Sequence, residues 1–437
     1  MKFSLVLFFL LSLTGFAQAS TPSFSQNRLI VKLKKGDLLP QFHHSFRRKH
    51  LFKNLYVLET KNLKGLIKEL KESSQIEYFE KDYYSKREKL PKVDFLSPEE
   101  KKKPTGKQSP FNDPKMNRLW SFADSERHGI SINKTYRDGM RKEGQEIIVA
   151  VVDTGVDTRH NDLKDNIWVN EDEIPGNEID DDGNGYIDDT TGINTLVRDA
   201  DGNATGDNSD GHGHGTHVSG TIAAVQNNSL GVAGIAKNVK IMGIRTVPNR
   251  SDELDLDVID AFLYAAKNGA KIINCSFGKD HNEGGMAVKE TIDHIGEVYG
   301  VLVVAAAGNS SRDIESRRTY PASFESENLL VVASSTKRGR MSYFSNYGTT
   351  SVDIVAPGSS IYSTMPNHRY GSMSGTSMAS PTVAGVAAEV LSQHPELTPV
   401  ELKKVLMDNV VKLKIFSKKV VSGGRIDLFK TLKALEK

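Results

Sequence analysis

The 437-residue sequence has one cysteine, Cys275. An internal disulfide framework is therefore excluded, and the lone thiol reads as a small buried hydrophobe. An excess of one charge is also missing. Lys and Arg number 57 and Asp and Glu 55, for a formal net charge of +2, so composition gives no push towards nucleic acid. Beyond the N-terminus, no stretch is long and apolar enough to span a membrane. There are no internal repeats. Several N-x-S/T triplets fall inside strand-like runs and read as chance.

The first residues have a pattern of their own. Lys2 precedes an apolar run from Phe3 to Leu13, and Ala17-Gln18-Ala19 follows. A charged start, a short apolar centre and an A-x-A end form a secretory signal peptide over residues 1–19. No cysteine follows the run, so lipid attachment is not expected there. The mature chain is expected to be soluble, off the membrane, and secreted or periplasmic.

Residues 20–84 hold a small α/β unit. Arg28 to Leu33, Leu55 to Glu59 and Ile76 to Tyr83 read as strands. Leu39 to His50 reads as a basic helix, and Leu63, Leu66, Ile67 and Leu70 mark an amphipathic one. So short a unit has a marginal core and is expected to lean on a larger body. Residues 85–111, with KREKLPK, PEEKKKP and TGKQSP, form a charged, proline-interrupted linker open to proteolytic nicking.

From Asn112 to Lys437 the pattern changes. Ile147 to Val152, Val239 to Met242, Lys271 to Asn274, Val301 to Ala306, Leu329 to Ala333 and Val352 to Val355 are short apolar runs. Helical stretches at Thr216 to Val225, Val258 to Lys267 and Ala287 to Val298 separate several of them. Such alternation predicts an α/β fold, a doubly wound, mostly parallel sheet flanked by helices. In these sheets, chemistry gathers at the carboxyl ends of the strands.

Four segments carry candidate chemistry. Asp153 closes the first of these strands, where a buried carboxylate needs a partner. Gly211-His212-Gly213-His214-Gly215-Thr216-His217 runs straight into a helix. Its three histidines cannot share one helix face at this spacing, which argues against a His metal cluster. Ala305-Ala306-Ala307-Gly308-Asn309 ends a strand on an amide. Gly371 to Pro381, GSMSGTSMASP, puts Ser377 at or just before a helix start, where free N–H groups favour developing negative charge. Pro381 removes the helical partner of the Ser377 carbonyl, unless the helix starts later. The four fit one scheme. A histidine removes the serine proton, an aspartate orients the histidine and an amide stabilises the oxyanion.

DTGVD, HGTHVSG, AAAGN and GTSMASP, in that order, resemble the signature segments of the subtilisin-like serine proteases. The resemblance spans roughly Asn112 to Leu435 and includes Gly423-Gly424-Arg425-Ile426-Asp427 near its end. It implies that Asp153 orients the base, His214 is the general base and Ser377 the nucleophile. Asn309 and the Ser377 N–H would form the oxyanion hole. His217 would pack beneath the site, and His212 would be a loop residue. Ser276, Phe277 and Gly278, with Ala306, Ala307 and Gly308, would wall the primary specificity pocket. Neither segment has a carboxylate, so no strict demand for Lys or Arg is expected. The acidic run Asp252, Glu253, Asp255, Asp257 reads as a solvated loop. The N-terminal unit resembles the family's propeptide, a ferredoxin-like α+β chaperone and inhibitor whose end occupies the substrate groove.

A cation is the one cofactor expected, a structural Ca²⁺. Asp180, Asp182, Asn184, Tyr186 and Asp188 stand at positions 1, 3, 5, 7 and 9 of an EF-hand-like loop. Position 12 is Thr191, not Glu, and Asp189 is a further donor close by. The family resemblance implies a second site at Asp162 and the loop after the His214 helix, with Gln226, Asn228, Leu230 and Val232. The reading as a whole is a monomeric endopeptidase acting on polypeptides and inhibited by its own propeptide. Its rivals are a processing protease of narrow specificity, a catalytically idle binding relative and a metalloprotease built on the histidines.

Overall fold

A computed structural model describes residues 23–84, 109–249, 253–280 and 285–436. The signal-like segment and most of the linker lie outside the described residues.

The N-terminal unit contains β1 (Phe24–Leu33), β2 (Arg47–Phe52), β3 (Leu55–Glu59), α1 (Leu63–Glu72) and β4 (Ile76–Tyr83). The strands form an antiparallel sheet in the order β2-β3-β1-β4. Alternation along β1 sorts its faces. Leu29, Val31 and Leu33 pack with Leu66 and Leu70 of α1, whereas Ile30 joins the core of the larger unit. The Asn62 side chain starts α1 by accepting from Gly65 N at 3.0 Å.

The basic helix expected at Leu39 to His50 is not formed. That stretch is irregular and then becomes β2. Period-two placement explains it: Arg47, Lys49 and Leu51 share one strand face. Lys49 approaches Asp260 at 3.5 Å, Arg47 reaches Asp201 at 3.7 Å and Leu51 enters the larger core. These partners come from far along the chain, so local propensity loses to tertiary pairing.

The larger unit begins with α2 (Ile132–Arg137) and β5 (Ile147–Asp153). It continues through β6 (Asn194–Arg198), β7 (Ala204–Thr205), α3 (His214–Ala223), β8 (Val239–Arg245) and α4 (Asp255–Lys267). Next come β9 (Ile272–Cys275), α5 (Met286–Tyr299), β10 (Leu302–Ala306), β11 (Leu329–Ser335) and β12 (Ile354–Pro357). The chain ends with β13 (Ile361–Met365), β14 (Arg369–Met373), α6 (Thr376–Gln393), α7 (Pro399–Asp408), β15 (Val411–Lys412), β16 (Gly424–Arg425) and α8 (Leu428–Leu435).

The central sheet runs β15-β16-β12-β11-β10-β9-β5-β8-β6-β7, parallel except at β15–β16 and β6–β7. The expected strands are its middle. Side chains alternate between two cores. Val149, Val151, Val304 and Val332 meet α3 and α6 on one face; Ala150, Val152, Val303 and Val331 meet α4 and α5 on the other. The fold is therefore the expected doubly wound sheet. It also aligns the carboxyl ends of β5, β9 and β10 beside the helix starts of α3 and α6.

Candidate active site

Asp153 is the last residue of β5 and His214 the first of α3. Gly215 allows their approach. A Cβ there would lie 2.0 Å from the Gly155 carbonyl and 3.1 Å from Asp153 Cβ. His214 Nδ1 sits 2.7 Å from Asp153 Oδ1, and both side chains are buried. Asp153 Oδ1 also accepts from Thr154 N at 2.7 Å. His214 Nε2 has no hydrogen-bond partner and is closed from solvent. Ser377 Oγ does not bond to it in this structure.

The start of α3 is held by a residue that motif reading passed over. Asp210 accepts from the N–H groups of His212 (2.9 Å), Gly213 (2.8 Å) and Thr216 (3.0 Å), and from Thr216 Oγ1 at 2.6 Å. Thr154 Oγ1 donates to Asp210 at 2.9 Å and accepts from Gly215 N at 3.0 Å. One carboxylate thus gathers the two N–H groups leading into the helix that carries His214 and one of its first-turn donors, and ties that start to the end of β5 through Thr154. An aspartate just ahead of a glycine-rich helix start was the available signal.

Ser377 is the second residue of α6 and is 4% exposed. Pro381 lies inside that helix, so the Ser377 carbonyl has no main-chain donor from that position. Ser276 Oγ supplies one at 3.0 Å. Ser276 accepts from Asn274 Nδ2 at 2.8 Å, and Asn274 Oδ1 accepts from Ser380 Oγ at 2.8 Å. Ser276, a residue of the expected pocket wall, braces the serine with its side chain.

Asn309 follows β10. Its Oδ1 accepts from Thr376 N at 2.8 Å and Thr376 Oγ1 at 3.0 Å, which fixes the amide next to Ser377 with Nδ2 as its donor end. Gly308 N donates to Thr376 Oγ1 at 3.1 Å. Ala306 and Ala307 are buried, and Ala307 N extends the sheet by donating to Val332 O at 3.0 Å. Phe277 and Gly278 line a small cavity with Val258, Val288, Tyr320 and Phe324.

His217 is buried, its Nε2 lies 2.9 Å from Ile361 O, and burial pushes its pKa down to about 3. It packs beneath the site as a neutral ring. His212 lies edge-on to His214, with ring centres 6.4 Å apart. None of the three histidines joins a metal-capable group among the described residues.

The acidic run is not a solvated loop. Asp255 pairs with Lys279, and Asp257 with Arg198 at 2.6 Å. Glu253, Asp255 and Asp257 are all buried, and Asp252 lies outside the described residues.

In the acidic loop the expected residues divide. Asp180 accepts from Asn184 N at 3.0 Å and Gly185 N at 2.9 Å. Asp188 accepts from Gly176 N at 2.7 Å and Glu178 N at 3.2 Å. The Tyr186 ring packs edge-on against Tyr264 at 4.9 Å. Asp182 likewise accepts from Asn184 N at 2.8 Å, and one of its oxygens lies within 4.8 Å of carboxylate oxygens of Asp189 and of Glu173, the last absent from the sequence reading. At the second loop, Asp162 meets Asn228 Nδ2 at 2.7 Å and Val232 N at 3.0 Å. Burial pushes the Asp162 carboxyl up. Gln226 was expected to offer its main-chain carbonyl, and its side chain bonds to Tyr136 at 2.6 Å and to Gly234 O at 2.9 Å. Leu230 N donates to Asn228 Oδ1 at 2.8 Å. Asp113, not picked out in the sequence, accepts from Asn227 N at 3.0 Å and Asn228 N at 3.2 Å.

The N-terminal unit docks on this body through β4. Asp82 Oδ1 accepts from Leu256 N, in the first turn of α4, at 3.0 Å, and Glu80 Oε1 from Ala287 N at the start of α5 at 3.2 Å. Each carboxyl group thus accepts from a main-chain donor in the first turn of a helix. Phe52 stacks on His294 with ring centres 4.3 Å apart, and Lys32 pairs with Glu290 at 2.6 Å. Tyr84 makes an antiparallel bridge to Leu254.

The sheet thus carries an Asp–His pair between the end of β5 and the start of α3, and an amide held against the helix start that bears Ser377, an α/β architecture. The comparisons carry the assignment further. The subtilase family, peptidase S8, matches residues 144–424, and the chain belongs to that family. It is 34% identical over 355 residues to subtilisin-like protease 1 of Plasmodium berghei (strain Anka), covering 76% of this chain and 56% of the relative. It is 34% identical over 285 residues to subtilisin DY of Bacillus licheniformis, covering 65% of this chain and 90% of the relative. The solved structure of an epidermin leader peptide processing serine protease from Staphylococcus aureus superposes with a TM-score of 0.67 at 22% identity. It covers 94% of this chain and 99% of that one, a likeness of fold. The chain spans only 56%, 46% and 53% of the length of three of its relatives. No helix among the described residues is long and apolar enough to cross a membrane.

Proposed function

We propose that this chain hydrolyses peptide bonds as a serine endopeptidase. The observation that carries the reading is the buried 2.7 Å contact between His214 Nδ1 and Asp153, which leaves Nε2 uncommitted. In this scheme Nε2 takes the Ser377 hydroxyl proton as Oγ bonds to the substrate carbonyl carbon. The carbonyl electron pair moves onto oxygen, where Asn309 Nδ2 and the Ser377 N–H meet it. Collapse of the intermediate breaks the C–N bond, and the amine leaves with the proton held on His214. Water then repeats the sequence on the acyl-enzyme. The Ser377 hydroxyl turns onto Nε2 when substrate enters, since such bonds tighten in the substrate complex.

The N-terminal unit acts as an inhibitory propeptide in this reading. The Tyr84–Leu254 bridge supports it, because an added antiparallel strand is also how an extended substrate binds. Maturation cuts within residues 85–110, after export directed by residues 1–19. Ca²⁺ steadies the fold; the buried carboxylates Asp162 and Asp113 beside the Asn228 loop suit a cation held by oxygen. The test is a fluorophosphonate probe on the processed protein. It should label the parent chain and not Ser377→Ala. Labelling of both, or of neither while the parent is folded, would overturn the reading. A peptide-library cleavage profile then separates broad from dedicated specificity.

A further inference from the structure

We propose that the face of the larger unit covered by the N-terminal unit becomes, once that unit leaves, a docking surface for lysine- and arginine-rich segments of polypeptide substrates. The word substrate rests on the peptidase reading; the binding rests on the interface alone.

The first observation is one-way charge. Four ion pairs cross between the two units among the described residues: Lys32–Glu290 at 2.6 Å, Lys53–Glu297 at 2.8 Å, Lys49–Asp260 at 3.5 Å and Arg47–Asp201 at 3.7 Å. In each the cation belongs to the N-terminal unit and the carboxylate to the larger one. Arg47 also donates from Nη1 and Nη2 to Ala200 O, at 3.1 and 3.2 Å. The unit's own carboxyls that reach across, Glu80 and Asp82, meet main-chain N–H groups, and Asp82 takes its cation, Arg28 at 3.2 Å, from its own unit.

The second observation is what release leaves behind. Asp260 keeps Arg198, and Asp293 keeps Lys289 at 2.7 Å. Asp201, Glu290 and Glu297 have no other ion-pair partner among the described residues. Between these carboxylates the face is apolar. Leu51, Leu55 and Val57 join the cluster that holds Val288, Ile292 and Ile295 of α5, and Phe52 stacks on His294. An apolar centre inside a charged rim is the anatomy of a protein interface, and bared apolar surface of this kind marks a site of interaction.

Magnitudes assign the roles. Exposed ion pairs contribute little each, so the rim does not set the affinity. It selects the partner and steers the encounter, drawing in basic chains and repelling acidic ones. The N-terminal unit shows the pattern accepted: Arg47, Lys49 and Leu51 lie on one face of β2, two basic residues and an apolar one at alternate positions of an extended strand. The face is also continuous with the proposed substrate path, because Tyr84, directly after β4, bridges Leu254.

The test is binding to the processed protein, with the N-terminal unit cut away and separated, after fluorophosphonate treatment. If the peptidase reading holds, that treatment silences Ser377. If it fails, added lysyl endopeptidase makes the cut in the lysine-rich residues 85–108, and the protein does not digest the probe. Failure of that reading is thus distinct from failure here. The probe is fluorescein-labelled oligolysine, read by anisotropy. Saturable binding is expected, weakening steadily between about 0.05 and about 0.5 M NaCl. The full chain, with its unit in place, should bind about tenfold less tightly or worse, and oligoglutamate should not bind. Glu290→Lys together with Glu297→Lys should weaken oligolysine binding about tenfold with an unchanged far-ultraviolet circular dichroism spectrum. Asp201→Lys, at an exposed loop, should act in the same direction and serves should the α5 pair not fold. Glu396→Lys with Asp408→Lys, outside the face, should bind as the parent does. No saturable binding, equal binding by the full chain or by oligoglutamate, parent-like binding by the face variants, or an equal loss in the outside pair would overturn the proposal.

Discussion

Ser276 Oγ donates a 3.0 Å hydrogen bond to the main-chain carbonyl of Ser377. The proline four residues after the serine creates the need for that bond, and the loop after β9 meets it. The candidate nucleophile is thus fixed from a neighbouring strand as well as from its own helix.

Ser276→Ala is expected to leave that carbonyl buried and unpaired, destabilising the chain by about 1–3 kcal/mol. Because the main chain at Ser276 is untouched, KM should change little while kcat falls. Denaturant unfolding together with steady-state kinetics checks this. Parent-like stability and parent-like kcat would show the bond to be idle.

Asn309→Ala removes the amide that Thr376 holds beside the serine. A fall in kcat of about 10²–10³ is expected, the size already known for the oxyanion asparagine of subtilisin itself. KM should be nearly constant. A loss confined to KM would place Asn309 in substrate binding rather than in the oxyanion hole.

Asp210→Ala takes away the acceptor for three main-chain donors at the start of α3. Loss of such a cap costs about 0.5–2 kcal/mol. Since His214 opens that helix, kcat should fall too, more than in a variant of equal stability altered elsewhere. Amide exchange at Gly213 and Thr216 should speed up; unchanged protection would count against the role given to Asp210.

Docking of the N-terminal unit should depend on pH through Asp82. Burial pushes its pKa up to about 7, and burial likewise raises Glu80. A carboxyl raised on docking gives stability that is full below its undocked value near 4 and is lost as pH climbs through 7. His294, pushed down by burial against Phe52, works in the opposite sense on the acid side. The contrast between parent and Asp82→Asn isolates the aspartate. In the full chain carrying Ser377→Ala, thermal unfolding of the parent should weaken more steeply from pH 5 to pH 8 than that of the asparagine variant. Identical slopes would refute the assignment.

The residues themselves determined a good deal. Short apolar runs bounded by turn signals located the middle strands of the central sheet, because a strand buried on both faces needs nothing but apolar side chains. Asp153, Asn309 and Ser377 could be picked out because each sits near an element boundary, where the chain leaves regular structure and presents a polar group; His214 was told from His212 and His217 by the family resemblance alone. The problem at Pro381 was also visible in advance, since a missing N–H is a local fact. Its solution, Ser276, was not, because it lies a hundred residues away. Tertiary structure likewise turned the stretch before His50 into a strand, pairing alternate basic residues with Asp260 and Asp201. It buried an acidic run by supplying Arg198 and Lys279. It also brought Glu173, which spacing did not mark, to Asp182 and Asp189. Spacing along a chain fixes which side chains can share a face; which carboxylates meet, and which stay without a proton donor, depends on contacts made only when distant segments close on one another.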